Sequence, residues 1–292
     1  MQTQDLIACI LQAHAALRRE ADLSPRNPAI NDALSALVAS ILKGCPPDAE
    51  REVLDHPGVR AVRGELIGRL AVAEGEMERC WGETFCARAS LAPADLADFT
   101  YWDCYRNLVA AELGALPAGL DLGKGESIAF VGAGPLPLSA ILMHLSAGAR
   151  VTCIDRDPRA CGLACELCRK AGLTGVEIAC ALGARYDYAP HPVVFIASLV
   201  PDKAEVMRCI RERCPHAVVA LRSADGLCTL LYDPVDETEL AAMGCGFLRR
   251  TGYNPQVINT TLFYEAAPAL HRGALRPAPA ASPDRLDPAL QP

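Results

Sequence analysis

Apolar residues recur at helical spacing through the first part of the chain: Leu6, Ile10, Leu11 and Leu17, then Leu34, Leu37, Val38, Ile41 and Leu42. Pro25, Pro28, Pro46, Pro47 and Pro57 punctuate these runs. Glu65 to Phe85 reads as a long helix, and Asp95 to Leu113 as another, with Pro93 near its start and Gly114 at its end. From Lys124 the texture changes. Short, continuously apolar runs alternate with amphipathic ones, the pattern of a parallel sheet covered on both faces. Strands are expected at Ser127–Val131, Arg150–Ile154, Val176–Ala179, Val193–Ala197, Ala217–Leu221, Cys228–Leu231 and Thr260–Tyr264, with helices at Ser139–Ala147, Pro158–Ala171, Lys203–Arg213 and Asp236–Met243. From Ala266 the chain is rich in Pro and Ala and has little to bury, which predicts disorder. The expected architecture is α/β: an all-helical domain over 1–123, a doubly wound Rossmann-like sheet over 124–265, and a disordered tail over 266–292.

The first expected strand runs into Gly132-Ala133-Gly134-Pro135-Leu-Pro137-Leu138 and then into an apolar helix. A Gly-rich turn at the carboxyl end of a first parallel strand is where nucleotide-type cofactors are held. A pyrophosphate needs free backbone N–H groups. Pro135 and Pro137 each remove one, and Leu138 stands near the place of a third glycine. The turn therefore suits S-adenosylmethionine, which has no phosphate, better than NAD. Gly132, Ala133, Gly134 and Pro135 are candidate cofactor contacts. Asp155, at the end of the second strand, is placed to accept hydrogen bonds from ribose hydroxyls, while Asp157 before Pro158 suits the N-cap of the next helix. Ala181, after the third strand, offers only its backbone to the adenine. Ala197 and Ser198 stand at the lip of the pocket.

Composition narrows the class. The chain has 292 residues, 51% hydrophobic and 22% charged, with a net charge of −7. No basic cluster is present to attract nucleic acid, no apolar run reaches membrane-spanning length, and the N-terminus carries no leader pattern. A cytoplasmic enzyme with a small-molecule acceptor is expected; the fold is compatible with a homodimer, whose symmetry the sequence does not specify. The 14 cysteines are irregularly spaced and read as small buried hydrophobes. Cys161, Cys165 and Cys168 share a helix face that could meet a soft metal, but no second ligand pair completes a zinc-like set, and no metal requirement is expected.

Three segments, in order, resemble the nicotianamine synthase family: Gly134-Pro-Leu-Pro-Leu138; Arg222-Ser-Ala-Asp-Gly226 followed by Leu230-Leu-Tyr232; and Val257-Ile-Asn259-Thr260. Glu74-Gly-Glu76-Met-Glu78 and Phe99-Thr-Tyr101-Trp-Asp-Cys-Tyr105 resemble two further segments of that family. The resemblance covers about Leu66 to Glu265. It implies a class I S-adenosylmethionine-dependent transferase fold and transfer of the 2-aminobutyrate arm of S-adenosylmethionine rather than its methyl group. It leans toward the bacterial branch that adds one such unit to histidine to make opine-type metallophores. An ordinary methyltransferase is the alternative.

For such a transfer the acceptor amine must be neutral and in line behind the γ-carbon. Glu76 or Glu78 is expected to act as base, with Tyr105 orienting the amine and Tyr101 beside the substrate. Glu74 shares a helix face with Glu78; a solvated acidic face is the bland alternative. Arg222 or Arg106 is expected either to clamp a carboxylate or to sit in a structural ion pair. Asn259 is a further candidate for the acceptor, and Glu112 a secondary one.

Overall fold

The computed structural model describes residues 3–118, Leu120, Leu122 and 127–267. The chain opens with α1 (Thr3–Arg19), α2 (Pro28–Lys43) and α3 (Pro47–Asp55). The long helix α4 spans Pro57–Ala87. It starts eight residues before the expected Glu65, because Pro57 at its first turn begins rather than breaks a helix. The helix expected over Asp95–Leu113 is broken. A 3-10 turn covers Pro93–Asp98, and α5 covers Trp102–Gly114 with Tyr101 at its N-cap. Phe99 carries extended backbone between the two and is buried against Trp81, Tyr101 and Tyr105.

The second part is the expected α/β fold. It runs β1 (Ser127–Val131), α6 (Leu138–Ala147), β2 (Arg150–Asp155), α7 (Pro158–Lys170), β3 (Val176–Cys180), β4 (Val193–Ile196), α8 (Lys203–Arg213) and β5 (Val218–Ser223). A 3-10 turn at Gly226–Leu230, α9 (Glu237–Ala242), β6 (Gly246–Arg250) and β7 (Thr260–Glu265) follow. The sheet order is β3-β2-β1-β4-β5-β7-β6; the first five strands are parallel, and β7 is antiparallel to both β5 and β6. The order reverses between β1 and β4, so a crevice opens at their carboxyl ends.

One expected strand is a correction. Cys228–Leu231 lies in and after the 3-10 turn, and β6 takes its place in the closing hairpin. Leu227, Leu230 and Leu231 are buried, but in the helical core with Leu37, Ile41 and Leu66 rather than in the sheet. Conversely, Phe85, Leu91, Leu96, Phe99 and Val109 of the helical part are buried with Phe130, Ile141 and Phe195 of the sheet part. Each part thus completes the other's core. The junction at 123/124 and residues 268–292 of the expected tail lie outside the described residues; the tail's first two residues are a correction, since Ala266 is buried and the Ala266 and Ala267 amides bond the Ala217 and Pro215 carbonyls beside β5.

Candidate active site

The crevice at the switch point is closed over by α4 and α5 into a cavity of about 700 Å³. Its sheet side is lined by the turn after β1, the end of β2 and the loops after β3 and β4. Gly132 and Gly134 both adopt left-handed backbone, with φ of 78° and 68°. A side chain at Gly132 would stand 2.5 Å from Val200 Cγ2, and one at Gly134 would stand 2.5 Å from Glu78 Oε2. Glycine is required here for close approach as well as for φ.

Two amides of the turn are already committed. Gly132 donates to the Ile154 carbonyl at 2.8 Å, and Gly134 donates to Asp155 Oδ2 at 2.8 Å. With two prolines beside them, little is left to hold a phosphate, in agreement with the expectation of a phosphate-free cofactor. Asp155 Oδ1 accepts from the Asp157 amide at 2.9 Å, and Asp157 caps α7 through the Arg159 amide, as expected. Asp155 lines the cavity with both oxygens braced, each keeping lone-pair capacity for a hydroxyl. Ala133, Pro135, Ala181, Ala197 and Ser198 line it too. The Ala181 amide is held by the Asp155 carbonyl, and Ala197 by the Val131 carbonyl. Ser198 Oγ accepts from Asn259 Nδ2 at 2.8 Å, so Asn259 also faces the cavity.

Two helices supply the opposite wall. α4 presents Leu70, Glu74, Met77 and Glu78, and α5 with its cap presents Tyr101, Cys104, Tyr105 and Leu108. Both sets follow the spacing of one helix face. The Tyr105 hydroxyl donates to Glu78 Oε1 at 3.2 Å. Burial pushes the Glu78 carboxyl well above the usual carboxylate range, and the neighbouring Glu74 pushes it further. Tyr105 is itself raised well above the usual phenol range, first by burial and then by Glu78.

The remaining expected residues divide. Glu76 turns away from the cavity and pairs with Arg79, which also bonds Glu83 at 2.7 Å on the outer face of α4. It is two residues from Glu78, and the helical twist puts it on the other side. Arg222 lines the cavity, but its Nε and Nη2 fork onto Glu112 at 2.8 and 2.9 Å, with Nη2 also 2.9 Å from Ser139 Oγ. Glu112 is wholly buried and accepts a third bond from Thr261 Oγ1 at 2.8 Å. Of the two readings for Arg222, the structural ion pair is the one made. Arg106 pairs with Asp103 at 3.0 Å on the surface. Cys161 and Cys168 are buried while Cys165 is exposed, and among the described residues no group of His, Cys, Asp and Glu could hold a metal ion.

The sequence reading did not single out two lining residues. Tyr232 donates to Glu74 Oε2 at 2.8 Å, and Cys104 lies between Tyr101 and Tyr105. For Glu74 the signal was present, since the i, i+4 relation to Glu78 puts both on one face. Tyr232 stood within the Leu230-Leu-Tyr232 run, where nothing local marks a tyrosine as facing a carboxylate on a helix 158 positions away.

The family model described as nicotianamine synthase protein matches residues 1–270 of this chain. The chain belongs to the nicotianamine synthase family. It is 30% identical to nicotianamine synthase 3 of Oryza sativa subsp. indica, over 92% of this chain and 82% of the relative. It is 29% identical to nicotianamine synthase 9 of Hordeum vulgare, over 90% and 79%. Among solved structures, a mutant of MtNAS superposes with a TM-score of 0.77 at 19% identity, over 91% of this chain and 98% of that one. MtNAS in complex with MTA and tNA gives 0.77 at 21%, with the same coverage. At these identities the structural likeness establishes the shared fold, from the helical cap through the closing hairpin of the sheet. For a nicotianamine synthase family member, the wall built by α4 and α5 is thus part of the common architecture and no local addition.

Proposed function

We propose that this protein transfers the 2-aminobutyrate arm of S-adenosylmethionine to the amine of an amino acid, releasing methylthioadenosine. The observation that carries the reading is Glu78. Its carboxyl group lies against the Gly134 turn of the cofactor crevice, takes a hydrogen bond from Tyr105, and is held above its ordinary pKa by burial. A carboxylate so desolvated is a stronger base toward an ammonium than one in water. A mutant of MtNAS has been crystallised with S-adenosylmethionine, and MtNAS with MTA and tNA, which supports the same donor and leaving group here.

Glu78 takes one proton from the acceptor ammonium. The freed nitrogen lone pair attacks the γ-carbon from behind, at a separation of about 3–3.5 Å. The N–Cγ bond forms as the S–Cγ bond breaks, and that electron pair neutralises the sulfonium. The positive charge passes to the new secondary ammonium. The electron-rich faces of Tyr101 and Tyr105 suit the cationic sulfur before transfer. Asp155 holds the ribose through its remaining lone pairs, Gly132 and Gly134 let the nucleoside approach the backbone, and Asn259, braced on Ser198, faces the acceptor.

The acceptor within this reading is histidine, and the branch is the bacterial one that makes opine-type metallophores. The chain's length and its Cys- and Ala-rich composition support that placement. Mass spectrometry of a reaction with S-adenosylmethionine and a panel of amino acids, both histidine enantiomers included, tests it. Methylthioadenosine with an acceptor heavier by one aminobutyrate unit is expected. S-adenosylhomocysteine with a methylated acceptor would overturn the transfer class, and a different modified amino acid would overturn only the acceptor.

A further inference from the structure

Glu78 is not alone on its face of α4. Glu74 lies one turn earlier and lines the same cavity. The arrangement around Glu78 is repeated around it, a tyrosine hydroxyl donating to the carboxylate. Tyr105 of α5 serves Glu78, and Tyr232, beyond the 3-10 turn that follows β5, serves Glu74 at 2.8 Å. The cation that acts on both glutamates is Arg222, and its guanidinium is already forked onto Glu112. Two carboxylates in one desolvated cavity, with no cation among the described residues committed to either, resist carrying two negative charges at once.

We propose that Glu74, held by Tyr232, shares one proton and one negative charge with Glu78, and so sets how readily Glu78 takes the proton of the acceptor ammonium. Glu74 is thereby a positioning residue for proton transfer, acting through Glu78. The inference rests on the reading of Glu78 as base. A pair bearing a single charge offsets one incoming ammonium. Once Glu78 has released its own proton, taking the acceptor's returns the pair to one proton and one negative charge and leaves the amine free to attack. That proton leaves to solvent after turnover.

The surroundings agree. Facing Glu78 are Glu74 on its own helix, Tyr105 on α5, Asp155 at the end of β2 and Arg222 on β5. Burial is the largest influence and raises it; Glu74 and then Asp155 add to this, while Tyr105 and Arg222 oppose. Facing Glu74 are Tyr232 and Arg222, with Tyr101, Cys104 and Tyr105 of α5 feeling its charge in turn. Burial raises Glu74, against the hydrogen bond from Tyr232.

The test is the pH profile of kcat/KM for methylthioadenosine release, measured on the full chain and on Glu74→Gln, Tyr232→Phe and Glu78→Gln. S-adenosylmethionine affinity is followed by calorimetry. Glu74→Gln should move the acidic limb down by about one pH unit, since the charge that keeps Glu78 protonated is gone. Its plateau should fall, because the base is weaker. Tyr232→Phe should move the limb in the same direction by less: without the donor, Glu74 carries less charge. Donor affinity should stay within about twofold in both. An acidic limb unmoved in both folded variants would overturn the proposal, and if Glu74→Gln does not fold, Tyr232→Phe alone decides it. Activity retained by Glu78→Gln would instead overturn the reading of Glu78 itself.

Discussion

At Glu78, the burial that favours its proposed role as base works against the fold. In the unfolded chain its carboxyl ionises near the ordinary glutamate value of about 4.3. In the native state burial keeps the proton on to higher pH. Across that window the native protein binds more protons than the unfolded one, so stability falls as pH rises. Glu78→Gln removes the titration while keeping the shape. The variant should match the wild type in stability near pH 4 and exceed it increasingly toward pH 8. It should lose about a hundredfold or more in turnover. Thermal melts at the two pH values, beside the rate, check both halves; a variant less stable than wild type at pH 8 would deny that Glu78 is buried at a cost. Glu76→Gln is the control, because an exposed pair with Arg79 contributes little. Turnover should stay within about twofold. The sequence made the two glutamates equal candidates through the resemblance, yet their separation of two positions guarantees that only one can face a given wall. What it could not tell was which wall faced the crevice, because that depends on how α4 packs on α7 and the sheet.

At the scale of elements, the ion pair between α5 and β5 locks the helical wall onto the sheet. Arg222 and Glu112 are both buried, and the carboxylate is further satisfied by Thr261 of β7, the guanidinium by Ser139 of α6. Removing one partner leaves an uncompensated charge in the interior, at a cost of about 3–5 kcal/mol. Glu112→Leu should lower the denaturation midpoint accordingly. The double variant Glu112→Leu with Arg222→Met should recover most of the loss, since the residual charge is gone. A double variant as unstable as the single one would mean that the other hydrogen bonds, rather than charge burial, dominate. Elements whose apolar pattern was continuous, β1, β4 and β5, were legible in the sequence because both faces of a central strand are covered. The edge strand β6 was not: apart from partly buried Gly246, its Phe-Leu-Arg-Arg run is exposed and carries no period of two. Cys228–Leu231 looked like a strand because a short apolar run buried in a helical core has no distinguishing period of its own.

Across the whole molecule, the boundary that the change in sequence texture suggested is not a boundary in packing. Phe85, Leu96 and Phe99 are buried with strands of the sheet, and Leu227, Leu230 and Leu231 are buried with α1 to α4. Arg63 of α4 bonds the Thr229 carbonyl and Asp233 beyond β5, and Glu50 of α3 accepts from the Leu227 amide. Either part alone would expose a large share of its own core. Unfolding should therefore be one cooperative event, with the calorimetric enthalpy equal to the van't Hoff enthalpy. A donor bound in the crevice touches both parts at once, so S-adenosylmethionine at a hundred times its Kd should shift that single transition as a whole, by about 2.7 kcal/mol. Two resolved transitions, only one of them moved by the donor, would mean that the helical wall folds separately and docks onto a preformed crevice. In that case the tyrosines that hold Glu74 and Glu78 would come from different cooperative units. The catalytic wall would then assemble on domain docking rather than on folding.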